Sequence, residues 1–67
     1  MNLAATRPVI SIKVRRVNEI ANQIQGLGGY PKVVKKLQDR VLKAVEQKQS
    51  HVTMFYEEWQ TCLSLTK

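Results

Sequence analysis

The sequence predicts an all-α fold: a helical hairpin with a long second helix, oligomerising through an apolar seam. Three observations carry that prediction. Gly26-Leu27-Gly28-Gly29-Tyr30-Pro31 punctuates the chain once, because glycine ends a helix and proline fits the first turn of the next. After Pro31, apolar residues recur at Val34, Leu37, Val41, Ala44 or Val45, Val52, Phe55, Trp59 and Cys62 or Leu63. That alternation of threes and fours is the stripe of an amphipathic helix or a coiled-coil seam. No Gly or Pro interrupts residues 32–67, and good helix formers dominate.

The elements follow in order. Residues 1–7 are read as a flexible N-terminus and 8–27 as the first element, which Thr6 could cap with Pro8 in its first turn. Read as a helix, it carries Ile10, Val14, Val17, Ala21 and Ile24 on one stripe. Read as a strand, Val9 to Arg15 alternates Ile10, Ile12 and Val14 with Ser11, Lys13 and Arg15. Ile12 separates the two, since it leaves the stripe on a helix and joins it on a strand. From Glu19 to Leu27 the chain reads as helix either way. The long helix spans 31–65, with a lapse at 47–51 inside the apolar-free stretch Glu46 to His51. Val45 and Val52 stand one heptad apart, so the stripe resumes in phase and one continuous helix is preferred. The alternative is a third helix capped by Ser50 or Thr53.

In the hairpin, the second half of that helix has nothing within its own chain to bury Val52, Phe55, Trp59 and Leu63. Another subunit or another protein must cover them. Chain length points the same way. The 67 residues form one small domain with a marginal core. Such a domain usually needs a staple. Cys62 is the only cysteine and His51 the only histidine, so neither an intrachain disulfide nor a four-ligand zinc site is available. Self-association remains, a dimer first. The expected oligomer or partner interface is Val52, Phe55, Tyr56, Trp59 and Leu63, rich in the aromatics that anchor interfaces. For Phe55 and Trp59 an ordinary inward-facing core position is the better-supported reading.

The net charge is +6 and uneven: ten Lys/Arg lie in residues 1–48, against Glu19, Asp39 and Glu46. This favours an anionic partner, whether nucleic acid, an acidic protein surface or headgroups. It equally suits plain solubility. The expected basic binding face is Lys32, Lys35, Lys36, Arg40 and Lys43, opposite the Val34–Leu37–Val41 stripe. Its i, i+4 like-charge pairs each cost a few tenths of a kcal/mol, which an anionic partner would relieve. Lys13, Arg15 and Arg16 form a second basic cluster.

Catalysis is close to excluded. Glu57 and Glu58 are the only neighbouring carboxylates, and adjacent helical residues diverge. On one helix Cys62 and His51 would stand ~16 Å apart. Gly26-x-Gly-Gly is too short for a phosphate-binding fingerprint. No cofactor and no small-molecule substrate is expected. No apolar run approaches a membrane span, and Met1 to Val9 has no secretory h-region. With a lone cysteine, these features point to the cytoplasm, or the nucleus in a eukaryote.

Under the strand reading of residues 9–15, the ISIKV strand, a helix around Val17–Leu27, a Gly-rich turn and a second helix from Pro31 resemble the ribbon-helix-helix DNA-binding dimers. The resemblance covers roughly residues 9–46 and is one of pattern. It implies that Ser11, Lys13 and Arg15 project from a two-stranded ribbon into the DNA major groove. The sequence departs from that family in its C-terminal segment and in Gly-Gly-Tyr-Pro before the second helix.

The functional expectation is a small non-catalytic adaptor or regulator that binds a larger protein by occupancy. The rivals are a DNA-binding regulator, using a basic helix or the ISIKV ribbon, and a structural subunit of a larger assembly. A strand at residues 9–15 would favour DNA binding.

Overall fold

The computed structural model describes residues 7–67; the expectations for residues 1–6, a flexible start and a Thr6 cap, lie outside the described residues. The chain runs β1 (Val9–Lys13), α1 (Val14–Leu27), α2 (Pro31–Glu46), β2 (His51–Phe55) and α3 (Tyr56–Leu65). β1 and β2 pair antiparallel, with Val9 opposite Phe55, Ser11 opposite Thr53 and Lys13 opposite His51. The fold is therefore α+β, and the all-α hairpin with one long second helix is overturned at both ends.

At the first end, residues 8–27 split into a strand and a helix. Val9, Ile10 and Ile12 are β-branched and stiff at χ1, which suits a pleated strand. Ile12 is 8% exposed, so it points inward as the strand reading requires. α1 then begins at Val14, whose N–H is held by the Ser50 carbonyl at 3.0 Å. Its buried face is Val17, Ile20, Ala21 and Ile24. Gly28 and Gly29 carry the turn at φ 73° and 89°, a region glycine enters without steric cost. Pro31 opens α2.

At the second end, the expected continuous helix stops at Glu46. Lys48 N–H donates to Val45 O at 3.0 Å and Gln49 N–H to Ala44 O at 2.8 Å. These two bonds, five-to-two and six-to-one, form the helix-ending Schellman motif. The motif needs a left-handed residue, usually glycine, and here Lys48 supplies it at φ 57°. A stop built from lysine leaves no glycine in the sequence, which is why the lapse reads as in-phase helix. Beyond it, Val52 and Met54 alternate with His51, Thr53 and Phe55 at period two, and β2 buries the first pair. The heptad from Val45 to Val52 is thus coincidental: Val45 is 59% exposed, and Val52 lies in the core.

One core serves all five elements. It comprises Ile12, Val17, Ile20, Ala21, Ile24, Val34, Leu37, Ala44, Val52, Met54, Trp59 and Cys62. Ile10, Val14, Val41 and Leu63 are half-buried against it. Of the C-terminal apolar residues that a hairpin would leave uncovered, Val52, Trp59 and Leu63 are folded back onto the hairpin itself, and Phe55 stays exposed.

The ribbon-helix-helix expectation is met for the order β1, α1, α2 and corrected in two respects. The ribbon is completed by β2 of the same chain, rather than by the first strand of a second copy. Arg15 lies on α1, outside the strand.

Candidate functional site

The ribbon has an inner face given to the core and an outer face given to solvent. Strand geometry puts alternate residues on opposite faces. Ile10, Ile12, Val52 and Met54 therefore share the inner face, while Val9, Ser11, Lys13, His51, Thr53 and Phe55 share the outer one. All six outer residues are exposed.

Two backbone bonds fix the hydrogen-bond phase of the ribbon. Val14 N–H donates to Ser50 O at one end, and Tyr56 N–H donates to Pro8 O at the other, each at 3.0 Å. Hydrogen-bonded pairs alternate with non-bonded ones along an antiparallel ladder. Residues 8, 10, 12 and 14 thus face β2, and the pairs Val9–Phe55, Ser11–Thr53 and Lys13–His51 are of the non-bonded kind. That kind brings side chains closest, with Cα atoms about 4.5 Å apart. The outer face is consequently a dense row of paired side chains: apolar at the Val9–Phe55 end, hydroxyl in the middle, basic at the Lys13–His51 end.

The basic end collects charge from three places. Lys13 closes β1, Arg15 and Arg16 open α1, and Lys48 stands in the turn just before β2. The Val14–Ser50 bond ties these segments together. All four side chains are exposed and none forms an ion pair among the described residues. His51 shares this end, its Nδ1 2.7 Å from the Ser50 hydroxyl. Lys13, Arg15 and Arg16, the second basic cluster expected from sequence, stand together at the β1–α1 junction and are exposed there. Lys48 and His51 join it only through strand pairing, which local sequence does not reveal.

At the apolar end, Arg7 lies 3.9 Å from the centroid of the Phe55 ring. Its Nη2 also pairs with Glu57 Oε1 at 2.6 Å. Arg7 is therefore occupied within the chain.

The five basic residues expected on the α2 face divide. Lys32, Lys35, Lys36 and Lys43 are exposed along it. Arg40 turns aside: its Nη1 donates to the Thr53 carbonyl and its Nη2 to Glu58, each at 3.2 Å. Arg40 thus fastens α2 to β2 and α3. Asp39 stands among the lysines, one turn from both Lys35 and Lys43.

The expected oligomer or partner surface divides too. Val52 and Trp59 are 5% and 6% exposed and belong to this chain's own core. Leu63 is half-buried against it. Phe55 and Tyr56 stay on the outside, at 36% and 45% exposure. Trp59 takes the inward position expected of it, and Phe55 does not.

Cys62 is buried, while His51 is exposed on another element, so the two form no dyad. Burial raises the Cys62 thiol above its ordinary pKa of 9.0, and the Glu58 carboxylate adds to the rise. Arg40 and Lys36 oppose it. The buried thiol therefore stays protonated at neutral pH. No group of three or more His, Cys, Asp or Glu gathers to hold a metal among the described residues. A notch of about 530 Å³ opens at the hairpin tip, lined by Ile24, Gly28, Tyr30, Pro31, Val34 and Gln38 among others. It holds no cluster of ionisable groups.

No family model matches the chain, and neither the curated proteins nor the solved structures contain a match to it. No helix among the described residues is long and apolar enough to cross a membrane.

Proposed function

We propose that the protein binds nucleic acid, laying the basic end of the ribbon against the phosphate backbone and acting by occupancy rather than turnover. One observation carries the reading. Strand pairing brings Lys48 to the end of an exposed ribbon that already carries Lys13, Arg15 and Arg16, and the hydroxyls of Ser11 and Thr53 beside them are exposed and able to donate hydrogen bonds. Several cations spread over an open surface suit a polymer with repeated charges better than a single small anion. Phosphate contacts of this kind position a protein without reading sequence. Lys48 supports the same reading. A lysine holding a left-handed backbone conformation costs roughly 1 kcal/mol relative to glycine, and strain of this sort tends to gather at functional sites.

The adaptor reading, binding to a larger protein, retains Phe55 and Tyr56 but loses its strongest anchors, since Val52 and Trp59 are committed to the core. It is the reading to adopt if nucleic acid fails to bind. Self-association is compatible with either. The lone buried thiol suits a cytoplasmic or nuclear setting.

The test is fluorescence anisotropy of labelled DNA, duplex and single-stranded, titrated with the protein at ~50 and ~200 mM salt. Phosphate binding predicts an affinity that falls steeply between the two conditions. No binding to either probe at the lower salt would overturn the proposal.

A further inference from the structure

The two outer edges of the ribbon differ. Residues 51, 53 and 55 turn their backbone groups away from β1, on the hydrogen-bond phase established above. This edge of β2 is closed by side chains. Arg40 Nη1 donates to Thr53 O at 3.2 Å, and Phe55 N–H donates to Glu58 Oε1 at 3.2 Å. The ion pair between Arg40 and Glu58 thus sits along the β2 edge as a clamp. Residues 9, 11 and 13 turn their backbone groups away from β2 in the same manner. No hydrogen bond among the described residues reaches the N–H or C=O of Val9 or Ser11, or the N–H of Lys13, from that side.

We infer that the open edge of β1 takes a second copy of this chain, strand to strand and antiparallel, with the two-fold axis at Ser11. An unpaired edge of this kind is a template for a further strand. The register follows from the outward-facing groups. With Ser11 opposite Ser11 of the second copy, Val9 falls opposite Lys13 and Lys13 opposite Val9. All three are outward residues: the Ser11 pair can exchange two backbone hydrogen bonds, and each Val9–Lys13 pair can form one, Lys13 N–H donating to Val9 O, because the Lys13 carbonyl belongs to the first turn of α1. On the inner face Ile10 then meets Ile12, which extends the apolar layer from one copy into the other. The charges select the same direction. A parallel, in-register pairing would stack Lys13 on Lys13, whereas the antiparallel one sets each lysine beside a valine. Proline commonly protects an edge, but Pro8 does not protect this one. Residue 8 faces β2, so its missing N–H falls on the ladder side.

The product is a four-stranded sheet in the order β2-β1-β1-β2, its ends closed by the two Arg40–Glu58 clamps. It stands independently of the nucleic-acid reading, because its test reads mass. Sedimentation equilibrium of the full chain should give a dimer that dissociates on dilution. Ser11→Pro removes the central donor on the open side and leaves the β1–β2 ladder its own donors. It should raise the dissociation constant at least tenfold while circular dichroism stays unchanged. Ser11→Cys guards against a proline variant that fails to fold. Hydrogen-bonded partners lie about 5.5 Å apart at Cα, within disulfide reach. Mild oxidation should yield a covalent dimer whose peptide map shows residue 11 joined to residue 11. A wild-type chain monomeric at all accessible concentrations would overturn the inference. So would a dimer in which Ser11→Cys forms no such bond.

Discussion

The two faces of the ribbon share ten residues and divide the labour completely. The inner face, Ile12, Val52 and Met54 with half-buried Ile10, joins Trp59 and the α1–α2 stripe in a single core. The outer face, Ser11, Lys13, His51 and Thr53 between Val9 and Phe55, adds nothing to that core. Alternation along a strand makes this separation possible within two short segments. Substitutions on one face should therefore change stability, and substitutions on the other should change binding.

The sharpest way to break the comparison is Trp59→Ala. Truncating a buried tryptophan costs about 3–5 kcal/mol, a large fraction of what so small a core supplies. The variant should be largely unfolded by circular dichroism at room temperature. A melting point within a few degrees of wild type would show that Trp59 is not part of the core.

The opposite outcome is expected from Lys13→Gln, Arg15→Gln and Arg16→Gln combined. Exposed substitutions away from special features usually shift stability by about 0.5 kcal/mol or less. Each lost phosphate contact lowers the salt slope by about 0.9, so the slope for duplex DNA should fall by nearly three. An unchanged slope would remove these residues from the binding face. Reversing Lys36 and Arg40 would be a poorer probe, since Arg40 also holds the β2 edge.

Lys48→Gly couples the two faces and should move them in opposite directions. Glycine at φ 57° relieves the left-handed strain, so stability should rise by ~1 kcal/mol. The lost charge should weaken DNA binding a few-fold. A lower melting point would show that the left-handed conformation of Lys48 stores no such strain.

The smallest effect concerns Cys62. Its folded pKa lies above the ordinary 9.0. The folded state therefore holds its proton more tightly, and the contribution is fully present below pH 9.0 and lost as pH rises through the folded value. Urea titrations on the alkaline side should show wild type losing stability more steeply than Cys62→Ala. Equal slopes would leave the thiol without influence.

Much of this was legible in the sequence, and the failures have identifiable causes. The α2 stripe of Val34, Leu37, Val41 and Ala44 and the turn at Gly28-Gly29 stand where the spacing puts them. Ile12 carried the choice between helix and strand for residues 9–13, and its burial decides it. Ile20 is among the most buried side chains, yet an a/d stripe omits it, because the face α1 buries is wider than a coiled-coil seam. The break after Glu46 was hidden by its lysine stop. Val52-Thr53-Met54-Phe55 did hold a strand signal, two adjacent β-branched residues followed by an aromatic, with apolar Val52 and Met54 two apart, which the helical phase of Trp59 and Cys62 obscured. The basic end of the ribbon was half legible. Lys13, Arg15 and Arg16 are local, but Lys48 and His51 arrive from a distant segment.

That distance has a consequence for how the molecule comes into being. The paired strands lie about forty residues apart in the chain, whereas α1 and α2 are neighbours, and contacts between distant segments bear the larger loop-closure entropy. The hairpin is thus placed to form first and the ribbon to zip last, as a clasp joining the two ends of an already collapsed chain. Mutations in the ribbon should then act mainly on the rate of unfolding, and those in the hairpin on the rate of folding. A chevron for Val52→Ala with a slowed folding arm and an unaltered unfolding arm would reverse that order. If the ribbon closes last, Lys13 and Lys48 meet only at that step, and the basic end is complete only in the closed chain.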